Sequence, residues 1–94
     1  MLNIEELFVK HEEEYLKFDK VKEKKTNRPD LQALLILDSI IPSNRDIISA
    51  SEHDEFFLDI DLEVLAAKAT EEQIIDLIRC GVRYSEYDCL SMFT

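Results

Sequence analysis

The chain contains very little of the two residues that form tight turns, with one glycine and two prolines in 94 residues. All-β folds need many tight turns and usually contain more of both residues. Their scarcity therefore favours helices joined by short connections. A chain of this length forms one domain, residues 1–94, with a single core and no deep cleft between two domains.

Long hydrophobic runs are also missing, because the longest one covers only residues 33–37. A membrane-spanning helix needs about 20 apolar residues, and the N-terminus lacks the basic and apolar regions of a signal peptide. The only cysteines are Cys80 and Cys89, which are too few for a disulfide scaffold. We therefore expect a cytoplasmic protein with reduced thiols.

Positive charge is scarce, since 11 basic residues stand against 21 acidic ones and the net charge is −10. Residues 1–47 hold ten acids and eight bases, whereas residues 48–94 hold eleven acids and three bases, net −8. Such a field repels nucleic acid and anionic membranes and attracts a basic protein surface. We therefore expect a protein partner and no direct binding of nucleic acid or membrane, although acidity also simply keeps a small protein in solution.

The apolar residues that are present follow helical and strand periods. A stripe at three- and four-residue steps predicts a helix over residues 3–25, and Pro29 and Pro42 bound a second helix. Two short helices follow, and the alternation near residues 55–60 predicts a half-buried strand. Residues 82–93 predict a terminal hairpin. The fold class is α+β, with two long N-terminal helices, two short helices and a small antiparallel sheet.

No residue pattern favours catalysis. Cys80 is expected at a helix C-terminus, where the dipole raises a thiol pKa, and no glycine-rich loop can hold a phosphate. The alternative is a metal-binding or metal-dependent hydrolytic centre at His53, Asp54, Asp59 and Asp61, because hard cations prefer oxygen ligands. Its spacing differs from a calcium-binding helix–loop–helix motif. The sequence therefore predicts a non-enzymatic protein with no cofactor and no bound metal.

Two features favour a role in protein interaction. The acidic residues of the C-terminal half would imitate a row of DNA phosphates if they projected together, and the second helix carries more apolar residues than one face needs. Solubility and ordinary core packing are the competing explanations. The predicted acidic surface contains Glu52, Asp54, Glu55, Asp59, Asp61, Glu63, Glu71, Glu72 and Asp76. The predicted apolar face, for a homodimer or another partner, contains Ile36, Leu37 and Ile40.

The C-terminal third contains the segment ATEEQIIDLIRCGVRY at residues 69–84 and closes with LSMF at residues 90–93. These segments resemble small uncharacterised proteins encoded by phages and prophages. The resemblance implies a location in the host cytoplasm and binding to a host protein, such as a nuclease or a CRISPR complex, as an inhibitor. It implies no catalytic residues.

Overall fold

Over residues 2–52, 54–85 and 89–93, which the computed structural model describes, the chain forms four α-helices and a four-stranded antiparallel sheet. The helices are α1 (Ile4–Lys10), α2 (Pro29–Ile40), α3 (Leu62–Lys68) and α4 (Glu71–Cys80), and 3₁₀ turns cover Glu12–Glu14 and Phe18–Lys20. The strands are β1 (Ile48–Glu52), β2 (Glu55–Leu58), β3 (Val82–Tyr84) and β4 (Leu90–Phe93). The α+β class and the C-terminal hairpin are thus confirmed.

The sheet has the strand order β1-β2-β4-β3, so β1 and β3 are its edges. Strand β2 buries Phe56 and Leu58 among the core residues and turns Glu55 and Phe57 the other way, as the alternation predicts. In the register of β2 with β4, Phe57 lies opposite Ser91. The sheet therefore has an inner face on the helices and an outer face turned away from them.

The ends of the helices follow local signals in the sequence. Pro29 is the first residue of α2, and the Asp61 side chain accepts two backbone N–H groups at the start of α3. Thr70 and Gln73 form a reciprocal capping box on α4. Gly81 follows α4 at φ +104°, a left-handed conformation that a residue with a Cβ adopts only under strain.

The prediction of a long first helix is wrong, because α1 ends at Lys10 and the chain continues in 3₁₀ turns. A helix over residues 3–25 would be about 35 Å long at 1.5 Å per residue, whereas the longest dimension of the molecule is 29 Å. The chain instead bends over the end of α4, where the N–H of Leu16 donates to the carbonyl of Ile78. Such tertiary contacts outweigh helical propensity.

Helix α4 lies at the centre of the helical layer and contacts α1, α2, both 3₁₀ turns and β3. Its residues Ile74, Leu77 and Ile78 are buried completely or nearly so. Leu58 and Leu90 contribute equally buried side chains from the sheet. The core therefore fixes α1 and β3 on neighbouring sides of α4.

The prediction of an exposed apolar face on α2 is wrong for two of its three residues. Leu37 is completely buried and Ile40 belongs to the core, while Ile36 is half-buried against it. Because α2 packs on α4, apolar residues on more than one side of α2 are needed for the core. The apolar side chains that α2 exposes are those of Leu31 and Leu35.

Candidate functional site

The structure does not gather the predicted acidic residues into one row. Glu55 lies on the outer face of the sheet, whereas Glu71 and Asp76 belong to α4 in the helical layer, beyond the inner face. Asp61 caps α3 with its carboxylate. A single surface that imitates DNA phosphates therefore cannot be assembled from these residues as they lie in the fold.

Two of the predicted carboxylates near the sheet form ion pairs with bases of the same chain. The Glu55 Oε2 atom accepts a hydrogen bond of 2.8 Å from the Ser91 hydroxyl and lies 3.4 Å from Arg83 Nη1. The Asp59 Oδ2 atom lies 3.3 Å from Arg45 Nη2. These two predicted partner-binding residues thus have partners within the fold.

The carboxylates of α4 are engaged in the same way. The Glu71 Oε2 atom lies 2.8 Å from His11 Nε2 and 3.4 Å from Lys10 Nζ, and the bond to His11 is the main reason that the pKa of Glu71 is lowered. Asp76 accepts a hydrogen bond of 3.1 Å from Arg79. Partial burial outweighs that bond and raises the pKa of Asp76.

The other predicted residues do not complete a site. Glu63 and Glu72 are exposed, and their carboxylates form no ion pair with any residue that the structure describes. Asp54 is exposed as well and interacts within the fold. His53 and the side chain of Glu52 lie outside the described residues.

The residues that the structure describes do not form the metal centre that was predicted as the alternative. Within the described ranges, no three His, Cys, Asp or Glu side chains lie close enough together to hold a metal ion. Of its four residues, Asp59 is paired with Arg45 and Asp61 caps α3, while His53 lies outside those ranges.

A different feature, which we call the α1–β3 groove, lies between α1 with the following 3₁₀ turn and edge strand β3. Its volume is about 750 Å³, within the range of about 300–1,000 Å³ that is typical of ligand sites. Buried Phe8, Ile78 and Val82 form its apolar floor. The ring centroids of Phe8 and Tyr84 lie 6.2 Å apart with the planes tilted by 56°, and Val9, 65% exposed, adds an apolar wall.

Two carboxylates border this floor. Glu5 and Glu12 line the groove and are exposed, and their carboxylates pair with no base among the described residues. Arg83 lines the groove too, but its guanidinium lies 4.5 Å from the ring centroid of Phe93 and 3.4 Å from Glu55. The charge that the α1–β3 groove offers to a ligand is therefore negative.

The net charge of each half of the sequence did not indicate this site, because the N-terminal half is nearly balanced in charge. The bases that give this balance lie mostly at positions 17–28, while none of them lines the groove. One signal was available: Val9 is apolar but lies outside the apolar stripe of the first helix, with Glu5 and Glu12 on either side of it in sequence.

The chemistry of the groove suits binding. Burial raises the pKa of the Cys80 thiol to about 12, so this cysteine is a poor nucleophile. Nucleophilic catalysis needs a positioned base, and His11, the histidine within the described residues, bonds to Glu71 and does not line the groove. Two carboxylates around an apolar floor match instead a ligand that is both cationic and apolar.

Comparison of the chain with models of protein families, with curated proteins and with solved structures found no match. Among the residues placed by the structure, no helix has the length and the apolar character needed to cross a membrane. The α1–β3 groove and its charge are therefore the basis on which a function is proposed.

Proposed function

We propose that the protein is a non-enzymatic interaction protein, and that its α1–β3 groove binds a cationic, partly apolar segment of a partner protein. The observation that carries this proposal is the position of Glu5 and Glu12 at an apolar floor, where neither carboxylate forms an ion pair with a base among the described residues. Carboxylates bind guanidinium and ammonium groups through charge-assisted hydrogen bonds. The floor buries the apolar part of the same segment.

The spacing of the two carboxylates suggests the form of the segment. Glu5 lies in α1 and Glu12 lies seven residues later in the 3₁₀ turn that follows, so the distance between them is on the order of 10 Å. A segment in the polyproline II conformation rises about 3.1 Å per residue with three residues per turn, so basic residues three positions apart would point to the same side and reach both carboxylates. Apolar or aromatic side chains between these bases would then pack on Phe8 and Tyr84.

A nucleic-acid-binding protein of a host cell is the partner class that fits best. Such proteins carry clustered arginine and lysine residues, and a chain of net charge −10 attracts them at long range. In biological terms, the protein acts as a phage-type inhibitor of the host protein that it binds. Binding by the groove differs from DNA mimicry by the C-terminal half. In that half, bases of the same chain already pair with the carboxylates of Glu55, Asp59, Glu71 and Asp76.

Peptide binding in the groove is a direct test. We expect the acetylated and amidated hexapeptide Gly-Arg-Leu-Phe-Arg-Gly to shift the amide resonances of Val9, Tyr15 and Tyr84 in isotope-labelled protein, and to leave those of Glu63 and Glu72 in place. Raising the salt concentration from about 0.05 to about 0.3 M should weaken binding, since exposed charges are screened.

The matched control is the same peptide with citrulline, a neutral isostere, at both arginine positions. It should bind more weakly and with little dependence on salt, because it keeps the apolar contacts and loses the charges. Equal affinity of the two peptides, or resonance shifts centred on residues 59–72, would speak against the proposal.

A further inference from the structure

We propose that the Glu14–Arg79 ion pair positions Glu12 at the α1–β3 groove and so sets the preference of the groove for a cationic ligand. This inference rests on the function proposed above, and it gives a role in binding to two residues that do not line the groove. Arg79 Nε lies 3.0 Å from Glu14 Oε2, and the two side chains are only 15% and 18% exposed. The pair joins the 3₁₀ turn Glu12–Glu14 to helix α4.

The three glutamates of this turn have different surroundings. A 3₁₀ helix has three residues per turn, so consecutive side chains point about 120° apart around its axis. Accordingly, Glu12 lines the groove, Glu13 is exposed, and Glu14 contacts Arg79. Because the three directions are linked, the rotation of the turn that brings Glu14 to Arg79 also brings Glu12 to the groove.

Apolar packing contributes little to the position of the turn. None of the residues Glu12–Glu14 is buried, so their side chains gain little from contact with the core. On either side of the turn, the ring of His11 and the N–H of Leu16 form hydrogen bonds to α4. The Glu14–Arg79 pair lies between these two attachments and therefore determines how the turn is rotated.

Arg79 is itself fixed on the side of the groove floor. Its Nη1 atom lies 3.1 Å from Asp76 Oδ1 and 3.4 Å from the carbonyl oxygen of Lys20, and α4 also supplies Ile78 to the floor. The hydrogen bond from Arg79 lowers the pKa of Glu14, so the pair is charged at neutral pH. Continuous contacts thus join the floor to the turn that carries one of the two groove carboxylates.

The substitution Arg79→Met separates positioning from the effect of net charge. Loss of a positive charge makes the chain more acidic, and charge alone would then strengthen binding of the arginine hexapeptide. If Arg79 positions Glu12, binding should instead weaken about two- to fivefold, as expected for one exposed ion pair. The citrulline peptide should bind as it does to wild type, because it has no charge for Glu12 to contact. A variant that is merely less stable would lose affinity for both peptides alike.

Arg28→Met is the matched control for charge. Arg28 is exposed and forms no ion pair within the part of the chain that the structure describes, and its loss changes the net charge equally. This variant should bind the arginine hexapeptide at least as tightly as wild type.

A double-mutant cycle tests whether the two residues act through their shared bond. Glu14→Gln should weaken binding of the arginine hexapeptide, and adding it to Arg79→Met should cause no further loss, since both substitutions remove the same contact. Glu13→Gln removes a carboxylate from the neighbouring position of the same turn and should have a smaller effect. The comparison of Glu14→Gln with Glu13→Gln also decides the question if Arg79→Met does not fold, which circular dichroism detects.

The two proposals fail in distinguishable ways. Wild type may prefer the arginine hexapeptide to the citrulline peptide while Arg79→Met and Glu14→Gln keep the same preference. That result would overturn the role of the Glu14–Arg79 pair and leave the function of the groove standing. Wild type that binds the two peptides equally would overturn both proposals.

Discussion

Replacing Leu77 with alanine is expected to lower the free energy of unfolding by about 2–5 kcal/mol. Leu77 is completely buried on α4, the helix that contacts α1, α2 and β3. Removing its side chain leaves a cavity that these elements cannot all close at once. A domain of this kind is stable by only about 5–15 kcal/mol, so denaturant unfolding should detect the loss easily.

Leu31→Ala is the matched control, because it removes the same atoms from a position that is 43% exposed. It should change the free energy of unfolding by about 0.5 kcal/mol or less, as is usual for surface positions. If both variants lost the same stability, α4 would not be the centre of the core. The placement of the groove between α1 and β3 would then lose its structural basis.

Arg79→Met is expected to lower the melting temperature by about 4–8 °C at neutral pH, because it removes several hydrogen bonds that are largely shielded from solvent. Arg79 Nε lies 3.0 Å from Glu14 Oε2, and Arg79 Nη1 lies 3.1 Å from Asp76 Oδ1 and 3.4 Å from the carbonyl oxygen of Lys20. These bonds attach the two 3₁₀ turns to α4. Methionine keeps a long apolar side chain at the position but cannot donate.

The loss should depend on pH with a defined sign. The hydrogen bond from Arg79 is the main reason that the pKa of Glu14 lies below its ordinary value of 4.5. Glu14 therefore adds stability above that value, and the stability is lost as the pH falls through the lower pKa of the folded state. Burial raises the pKa of Asp76, so Asp76 acts in the opposite direction and favours the folded state once it is protonated.

The stability difference between wild type and Arg79→Met should therefore be largest near pH 7 and should narrow as the pH falls from about 5 to about 3. Denaturant unfolding at several pH values measures it. Arg28→Met is the control, since Arg28 is exposed and forms no ion pair with any residue that the structure describes. A difference that stays constant with pH would contradict the role of the Arg79–Glu14 bond.

The features that could be predicted from the sequence are those that depend on neighbours along the chain. The caps at Asp61 and Thr70 and the left-handed Gly81 are local, and each lies where its residue type indicates. Strand β2 and the C-terminal hairpin follow from alternation and turn residues in the same way. The helical period of Ile74, Leu77 and Ile78 likewise identifies the side of α4 that is buried.

The features that could not be predicted depend on contacts between distant parts of the chain. The first helix stops at Lys10 because the following segment bonds to α4, and Glu14 and Arg79 are 65 positions apart. Pairing of Glu71 with His11 spans 60 positions. Counting charges in each half of the sequence could not show which carboxylates acquire such partners. The net charge of each half therefore indicated a binding surface in the C-terminal half and not at Glu5 and Glu12.

The dissociation constant of the arginine hexapeptide, measured for two double variants, tests the role of the groove most directly. Glu5→Gln with Glu12→Gln removes the two groove carboxylates, and Glu63→Gln with Glu72→Gln removes two exposed carboxylates outside the groove, so the net charge changes equally. At about 0.15 M salt, the groove variant should bind about two- to thirtyfold more weakly, and the other variant should bind like wild type. Equal weakening by the two variants would contradict binding in the groove.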